Sequence, residues 1–239
     1  MCEWLNLEYY VGPTSIKLMF SEMVPHGVYS YAMIIQKAGG YCFKLSQGAV
    51  TVAVNPPSQK SKQKVPKFGA DIVVVSLPHE DWNGVETASH GDKEPFVVSG
   101  PGAYEVGDIR ITGYATEASY DDVVSAIGNT VYVIEMDGIR VLVLGALSLA
   151  KLPSEVRSEL DDIGIVLVPI GSGALNPKAA HELVTSIEPK AVIPYSVGDE
   201  KSLSAFLKTE GATESKSIDK FTVRSRELQA MDGDVVLLA

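Results

Sequence analysis

The sequence contains little cysteine and little histidine. Cys2 and Cys42 are the only cysteines among 239 residues, which excludes a disulfide framework, and their spacing does not fit a zinc knuckle. The four histidines are scattered, and no two have the spacing of a helical metal motif: His26, His79, His90 and His181. Apart from His79, each is interpreted as a surface residue. The scarcity of thiols fits a reducing compartment, so we expect a cytoplasmic protein.

Long apolar runs are absent as well. No run approaches the roughly 18 residues needed to span a bilayer, and Glu3 and Glu8 stand where a signal peptide would be basic. With 20 basic and 30 acidic residues, the formal net charge of -10 repels phosphate backbones and anionic lipids. The basic stretch Ser58–Lys67 has no interleaved aromatic residue and is interpreted as a solvated loop. We therefore expect neither nucleic acid nor a membrane as a partner.

Strand patterns fill the chain from Met33 to about residue 150. Two short apolar segments flank Gly39 and Gly40, and the β-branched run "ADIVVVSL" is typical of a strand covered on both faces. The segment "NTVYVIEMDGIRVLVLGA" contains Asp-Gly between two alternating runs, a strong hairpin signal. The first half is therefore predicted to be mostly sheet.

Strands alternate with helices in the second half. The pattern predicts helices at about residues 153–160, 177–187 and 200–207, and the middle one has Asn176 as its N-cap and Pro177 as its first residue. Buried strands "IGIVLVPI" and "AVIPYS" lie between them, so the sheet should be covered by helices. We predict one layered α/β domain over residues 33–239. Residues 1–32, rich in aromatic residues and methionine, are predicted to be an N-terminal extension outside the core.

The most polar candidate site is His79-Glu80-Asp81. These residues follow a buried strand at its carboxyl end, where open α/β sheets place their ligands. However, adjacent side chains in one turn cannot surround a metal ion by themselves. The residues alone therefore favour a solvated turn over a ligand role.

A second candidate is the turn Gly171–Lys178, "GSGALNPK", which leads from a buried strand into a helix. Free backbone N–H groups and the helix dipole at such a turn could bind a phosphate or nucleotide. The turn lacks the third glycine of a dinucleotide fingerprint, so a plain connecting loop is the simpler interpretation.

The order of these segments resembles the metallo-β-lactamase superfamily, and the phrases "GPGAYEV" and "IEPKAVIP" make the resemblance specific. It covers residues 33–239, and the most similar branch is that of zinc-dependent hydrolases that include ascorbate-phosphate-lactonase-like proteins. The resemblance implies a four-layer αββα sandwich with metals at one edge of its two sheets.

The resemblance also implies a set of metal ligands, most of which this chain has replaced. The family's loop of histidines and aspartate falls on residues 77–82, where His79 and Asp81 remain. The later histidine falls near Ala118 or Ser119. The other replaced ligand positions are Leu77, Trp82, Ala146 and Ser196.

These replacements predict a protein with a degenerate metal site, no catalytic or cofactor-binding residues and no expected cofactor. We expect a non-catalytic binding or assembly protein whose partner is a small molecule or another protein. One alternative is a metal-dependent hydrolase with a weak or rebuilt zinc site around His79 and Asp81, drawing on Glu80 and also on Glu117, Asp121 or Asp122. A second alternative is the phosphate or nucleotide binder at Gly171–Lys178.

Overall fold

A computed structural model describes residues 31–89, 91, 94–120 and 128–239 of the chain. Its strands form two sheets. The first sheet has six strands: β1 Met33–Gly39, β2 Cys42–Gln47, β3 Val50–Val54, β4 Ile72–Val75, β5 Phe96–Ser99 and β12 Phe221–Val223. Their spatial order is β12-β1-β2-β3-β4-β5, and β3, β4 and β5 run parallel while the others pair antiparallel.

The second sheet has seven strands: β6 Gly102–Val106, β7 Ile109–Glu117, β8 Gly128–Met136, β9 Ile139–Val143, β10 Ile165–Ile170, β11 Ala191–Ser196 and β13 Asp234–Val235. Their spatial order is β13-β11-β10-β9-β8-β7-β6. The strands β6 to β9 are antiparallel, and β9, β10, β11 and β13 are parallel. The parallel half is the part in which strands and helices alternate along the chain.

The hairpin between β8 and β9 forms at the predicted Asp-Gly. Asp137 and Gly138 both have positive φ, 44° and 75°, as a type I′ turn requires. Asp and Gly tolerate this left-handed backbone better than other residues do, so the dipeptide fixes the register of the two strands.

Four α-helices are described: α1 Ser154–Arg157, α2 Pro177–Ile187, α3 Glu200–Thr209 and α4 Ser225–Leu228. The prediction for α2 is confirmed at both ends, and the Asn176 side chain accepts a hydrogen bond from the N–H of Ala179 at 3.0 Å. The predicted helix at 153–160 is shorter, because α1 stops after one turn and a 3-10 helix follows at Leu160–Asp162.

Alternate residues of the central strands face different hydrophobic clusters. In β8, Tyr132 and Ile134 lie between the two sheets, whereas Val131 and Val133 lie in a cluster with Leu183 of α2 and Phe206 of α3. The outer face of the first sheet carries a third, small cluster under the 3-10 helix Val85–Ala88: Ala53, Ala70, Val73, Val75 and Ala88. The predicted four-layer sandwich is confirmed, with the described outer layer of the first sheet built from this 3-10 helix and loops.

The proposed boundary at residue 33 coincides with the start of β1. The predicted extension lies mostly outside the described residues, which begin at Tyr31. One described contact crosses the boundary: the buried Gln47 side chain donates from Nε2 to the carbonyl oxygen of Tyr31 at 2.9 Å.

We expect a chain that begins at Met33 to retain a single cooperative unfolding transition. It should lose about 1 kcal/mol relative to a chain that begins at Tyr31, because only the latter keeps the acceptor for Gln47. Urea unfolding of both chains beside the full sequence measures this. If neither short chain unfolds cooperatively, residues 1–30 are part of the core.

Candidate functional site

The loop after β4 is held in place by the preceding part of the first sheet. The N–H of Ser76 donates to Oδ1 of Asn55 at 2.8 Å, and the N–H of Ser58 donates to the carbonyl oxygen of Glu80 at 2.7 Å. Within the loop, the N–H of Trp82 donates to the carbonyl oxygen of His79 at 2.8 Å. This tight turn directs residues 77 and 82 into the protein interior, where both are fully buried.

Three aromatic side chains, Tyr41, Trp82 and Tyr120, pack together at this end of the sandwich and are called the aromatic cluster here. The rings of Tyr41 and Trp82 stack with centroids 4.5 Å apart and planes inclined by 22°. Tyr120 meets both rings edge-on, at centroid distances of 5.8 Å from Tyr41 and 5.5 Å from Trp82. Offset stacked and edge-to-face pairs of this kind stabilise a packed core.

The carboxylate of Asp81 accepts hydrogen bonds from the aromatic cluster and from the loop that precedes β4. The Tyr120 hydroxyl donates to Oδ2 of Asp81 at 2.7 Å, and the Ser61 hydroxyl donates to Oδ1. Each carboxylate oxygen therefore already accepts a hydrogen bond from the protein. The stretch Ser58–Lys67, predicted to be a solvated loop, exposes its four lysines but buries Ser58 and sends Ser61 to this carboxylate.

His79 lies beside Asp81 and is oriented by the turn. Its Nδ1 accepts a hydrogen bond from the N–H of Asp81 at 3.1 Å and lies 3.8 Å from Oδ2 of the same residue. Its ring also meets Tyr120 edge-on at 5.0 Å. The neutral tautomer that accepts at Nδ1 carries its proton on Nε2.

The two tyrosines of the aromatic cluster remain protonated at neutral pH. Burial, together with the hydrogen bond to Asp81, raises the pKa of Tyr120 far above its usual value. Burial also raises the pKa of Tyr41, whose hydroxyl oxygen lies 3.3 Å from that of Tyr120. Tyr120 is therefore a permanent hydrogen-bond donor to Asp81 under physiological conditions.

Three of the positions that the family resemblance aligns with metal ligands lie in the core between the sheets. Leu77, Trp82 and Ala146 are all fully buried there. Ala146 follows β9 in a turn fixed by Asn129, whose Oδ1 accepts from the N–H of Ala146 at 2.9 Å and whose Nδ2 donates to the carbonyl oxygen of Leu144 at 3.0 Å. Ser196 is the last residue of β11 and is half-buried.

Sequence comparison identifies the family. A model of the β-lactamase superfamily domain matches residues 34–196. The chain belongs to the β-lactamase superfamily. No curated protein matches the chain significantly.

Several solved structures share the fold of this chain. One is from Thermotoga maritima, a metallo-β-lactamase superfamily protein with a proposed zinc-dependent hydrolase activity; it is 25% identical, with a TM-score of 0.64 over 86% of this chain and 98% of that one. A proposed metal-dependent hydrolase from Parabacteroides distasonis is 16% identical, with a TM-score of 0.60 over 86% of this chain and 92% of that one. The diiron β-hydroxylase CmlA from Streptomyces venezuelae is 13% identical, with a TM-score of 0.58 over 81% of this chain and 54% of that one. The chain is thus a hydrolase-like protein of the metallo-β-lactamase fold.

The metal centre implied by this superfamily does not fit the residues present. A zinc ion at a hydrolytic site needs three protein ligands around an open position. Here one imidazole and one carboxylate are adjacent, and both oxygens of that carboxylate already accept hydrogen bonds. The described parts of the chain contain no group of three or more His, Cys, Asp or Glu side chains that could hold a metal ion.

The side chains considered for a rebuilt metal site include two that the structure describes. Glu80 and Glu117 are exposed. Asp121 and Asp122 lie outside the described residues, as do His26 and His90. His181, predicted to be a surface residue, is half-exposed and lies 2.8 Å from Glu210 at the end of α3.

Sequence reasoning did not find Tyr41, Ser61 or Tyr120. Ala118, where the family's later histidine was expected, is buried and forms a β-bridge to Leu147, and Ser119 is exposed. Tyr120, one residue further along, is the side chain that reaches Asp81. Its position directly after a predicted strand was the one available signal.

Several N–H groups of the turn Gly171–Lys178 already have acceptors within the protein. The N–H of Ser172 donates to Oδ2 of Asp199 at 3.0 Å, and the N–H of Gly173 donates to the carbonyl oxygen of Val197 at 3.4 Å. At the start of α2, Asn176 already accepts from Ala179. The geometry therefore favours a connecting loop over the phosphate site.

A cavity of about 490 Å³ opens beside the aromatic cluster. The β1–β2 turn and the loop before β4 form one wall, and the loop between β11 and α3 forms the other. Its lining includes Lys37, Tyr41, Gln63, Lys64, Ser196 and Asp199.

No helix among the described residues is long and apolar enough to cross a membrane.

Proposed function

We propose that this β-lactamase-superfamily chain has lost the superfamily's metal chemistry and acts as a binding or assembly protein. The observation that carries the proposal is the fully buried Trp82, stacked on Tyr41 at a position where the family resemblance expects a metal-binding histidine.

The remaining donors favour a hydrogen-bonded role over a metal-binding one. Asp81 accepts from the hydroxyl groups of Ser61 and Tyr120, which would both have to move before either carboxylate oxygen could bind an ion. A single imidazole would then leave the ion mostly water-bound. Such an ion is held weakly and does not lower the pKa of its water to near neutrality.

The replacement of ligands is accompanied by packing that depends on the new residues. Leu77 and Ala146 contribute apolar surface to the same core as Trp82, and Ala146 supplies no donor atom. Conversion of a polar metal pocket into a packed core is consistent with selection for a stable fold without metal.

Metal dependence remains the alternative, because His79 and Asp81 are adjacent and only partly buried. We expect purified protein to carry well under one equivalent of zinc, manganese or iron. Addition of a chelator should leave its melting temperature unchanged, because no bound metal contributes to folding.

Elemental analysis of protein purified without added metal, followed by thermal unfolding with and without EDTA, measures both expectations. A His79→Ala variant is the matched control, since any metal bound at this site must depend on that imidazole. Stoichiometric metal that disappears in the variant would contradict the proposed loss of the metal site.

A further inference from the structure

We propose that the cavity beside the aromatic cluster binds a small zwitterion, of the class of amino acids and short peptides with free termini. The inference rests on the proposed binding function and assigns a ligand class to it. Its basis is a cavity lining that carries both signs of charge: Lys37 and Lys64 on one side, and Asp199 and Glu200 with the last residue of the sequence, Ala239.

One wall is cationic. Lys37 and Lys64 line it, and the sequence from residue 31 to 70 contains six lysines and no aspartate or glutamate, in a chain whose net charge is -10. Neither Lys37 nor Lys64 has an ion-pair partner within 4.0 Å among the described residues. Both ammonium groups are therefore available for a ligand carboxylate.

The opposite wall is anionic. Asp199, the N-cap of α3, accepts hydrogen bonds from the N–H groups of Ser202 at 2.7 Å and Ser172 at 3.0 Å, and Glu200 follows it. The hydrogen bonds from the backbone and side chain of Ser202 lower the pKa of Asp199, which is thus ionised at neutral pH. A ligand with only negative charge would be repelled by this wall, and one with only positive charge by the lysines.

The floor of the cavity joins the two walls. Tyr41 lines the cavity together with Gly198 of the anionic side and Gln63 of the cationic side. The same ring stacks on Trp82, so the aromatic cluster supports the floor. The volume of about 490 Å³ lies in the range of small-molecule sites.

Calorimetric titration of the full chain tests the proposal with alanine, dialanine and trialanine as probes. Each is compared with its N-acetyl form, which lacks the ammonium, and its carboxamide form, which lacks the carboxylate. We expect at least one unblocked probe to bind, and each blocked form of it to bind about tenfold more weakly, since each loses a charge-assisted contact.

Variants locate the binding. Lys37→Gln and Glu200→Gln are each expected to weaken binding of the unblocked probe about tenfold. The Lys37→Gln variant should also bind the unblocked probe and its carboxamide form with equal affinity. Lys151→Gln and Glu155→Gln, exposed residues outside the cavity lining, are the charge-matched controls and should bind as the unchanged chain does. Thermal unfolding confirms that each variant is folded.

The outcomes separate this proposal from the one it rests on. If no unblocked probe binds more tightly than about 10 mM, or if blocked and unblocked forms bind equally, the zwitterion assignment is wrong. Equal weakening by the control variants would overturn the location. None of these results affects the metal analysis, which alone decides whether the metal chemistry has been lost.

Discussion

Introduction of the family's ligands at the positions aligned by resemblance is expected to make the stability of the chain depend on zinc. We expect a variant with Leu77→His, Trp82→His, Ala146→Asp and Ser196→His to be strongly destabilised without metal and restabilised by zinc. Together with His79 and Asp81, it would carry six ligand side chains if these positions converge.

The cost without metal follows from burial. Leu77 and Trp82 are fully buried, and removal of such apolar side chains costs about 2 to 5 kcal/mol each. Zinc that binds the folded state alone returns about 2.7 kcal/mol at one hundred times its dissociation constant. Urea unfolding with and without zinc measures both effects.

Tyr120 must be included in the design, because its hydroxyl occupies Oδ2 of Asp81. A second version that adds Tyr120→Phe should bind zinc more tightly, since it keeps the ring but releases the carboxylate. A version with Ala146→Asn is the control for the negative charge at that position. If calorimetry detects no tighter zinc binding in the folded variants than in the unchanged chain, the positions do not converge.

Removal of Trp82 is expected to produce the largest stability loss of any single truncation in the aromatic cluster. Trp82→Ala should cost about 3 to 5 kcal/mol, because the indole is fully buried and stacked on Tyr41, and a cavity would remain. Trp82→Phe should cost less, since it keeps an aromatic ring. The buried indole N–H has no hydrogen-bond partner among the described residues, so that variant loses no hydrogen bond.

Urea unfolding followed by circular dichroism measures these losses without relying on tryptophan fluorescence. Leu149→Ala is the control, because that side chain is 56% exposed and its removal should change stability by less than about 0.5 kcal/mol. A Trp82→Ala loss as small as that of the control would show that the indole does not support the core.

The elements that the sequence predicts well are those with strong local signals. Asn176 and Pro177 mark the start of α2, and Asp137 with Gly138 fixes the β8–β9 turn. By contrast, β12 and β13 contain three and two residues, too few to show any periodicity, and they were not predicted. Such short strands form because they pair with the edge strand of a sheet, and that edge strand is distant in sequence.

The candidate site likewise contains some residues that the sequence predicts and others that it does not. The loop from Leu77 to Trp82 could be identified from a buried strand and a family resemblance. Tyr41 and Tyr120, however, lie in connections well before and after that loop, and an aromatic residue in a connection has no local mark of burial. Tyr41 follows a strand of the first sheet and Tyr120 a strand of the second, so the packing of the two sheets is what brings them to Trp82 and Asp81.

The last strands of the chain also determine when folding can finish during synthesis. β12 pairs with β1 at the edge of the first sheet, and β13 pairs with β11 at the edge of the second. Neither sheet has its full set of strands until residues 221–235 have left the ribosome. β1 pairs with β2 early in the sequence, but its second partner, β12, lies nearly two hundred residues later, so completion of the first sheet requires closure of a long loop.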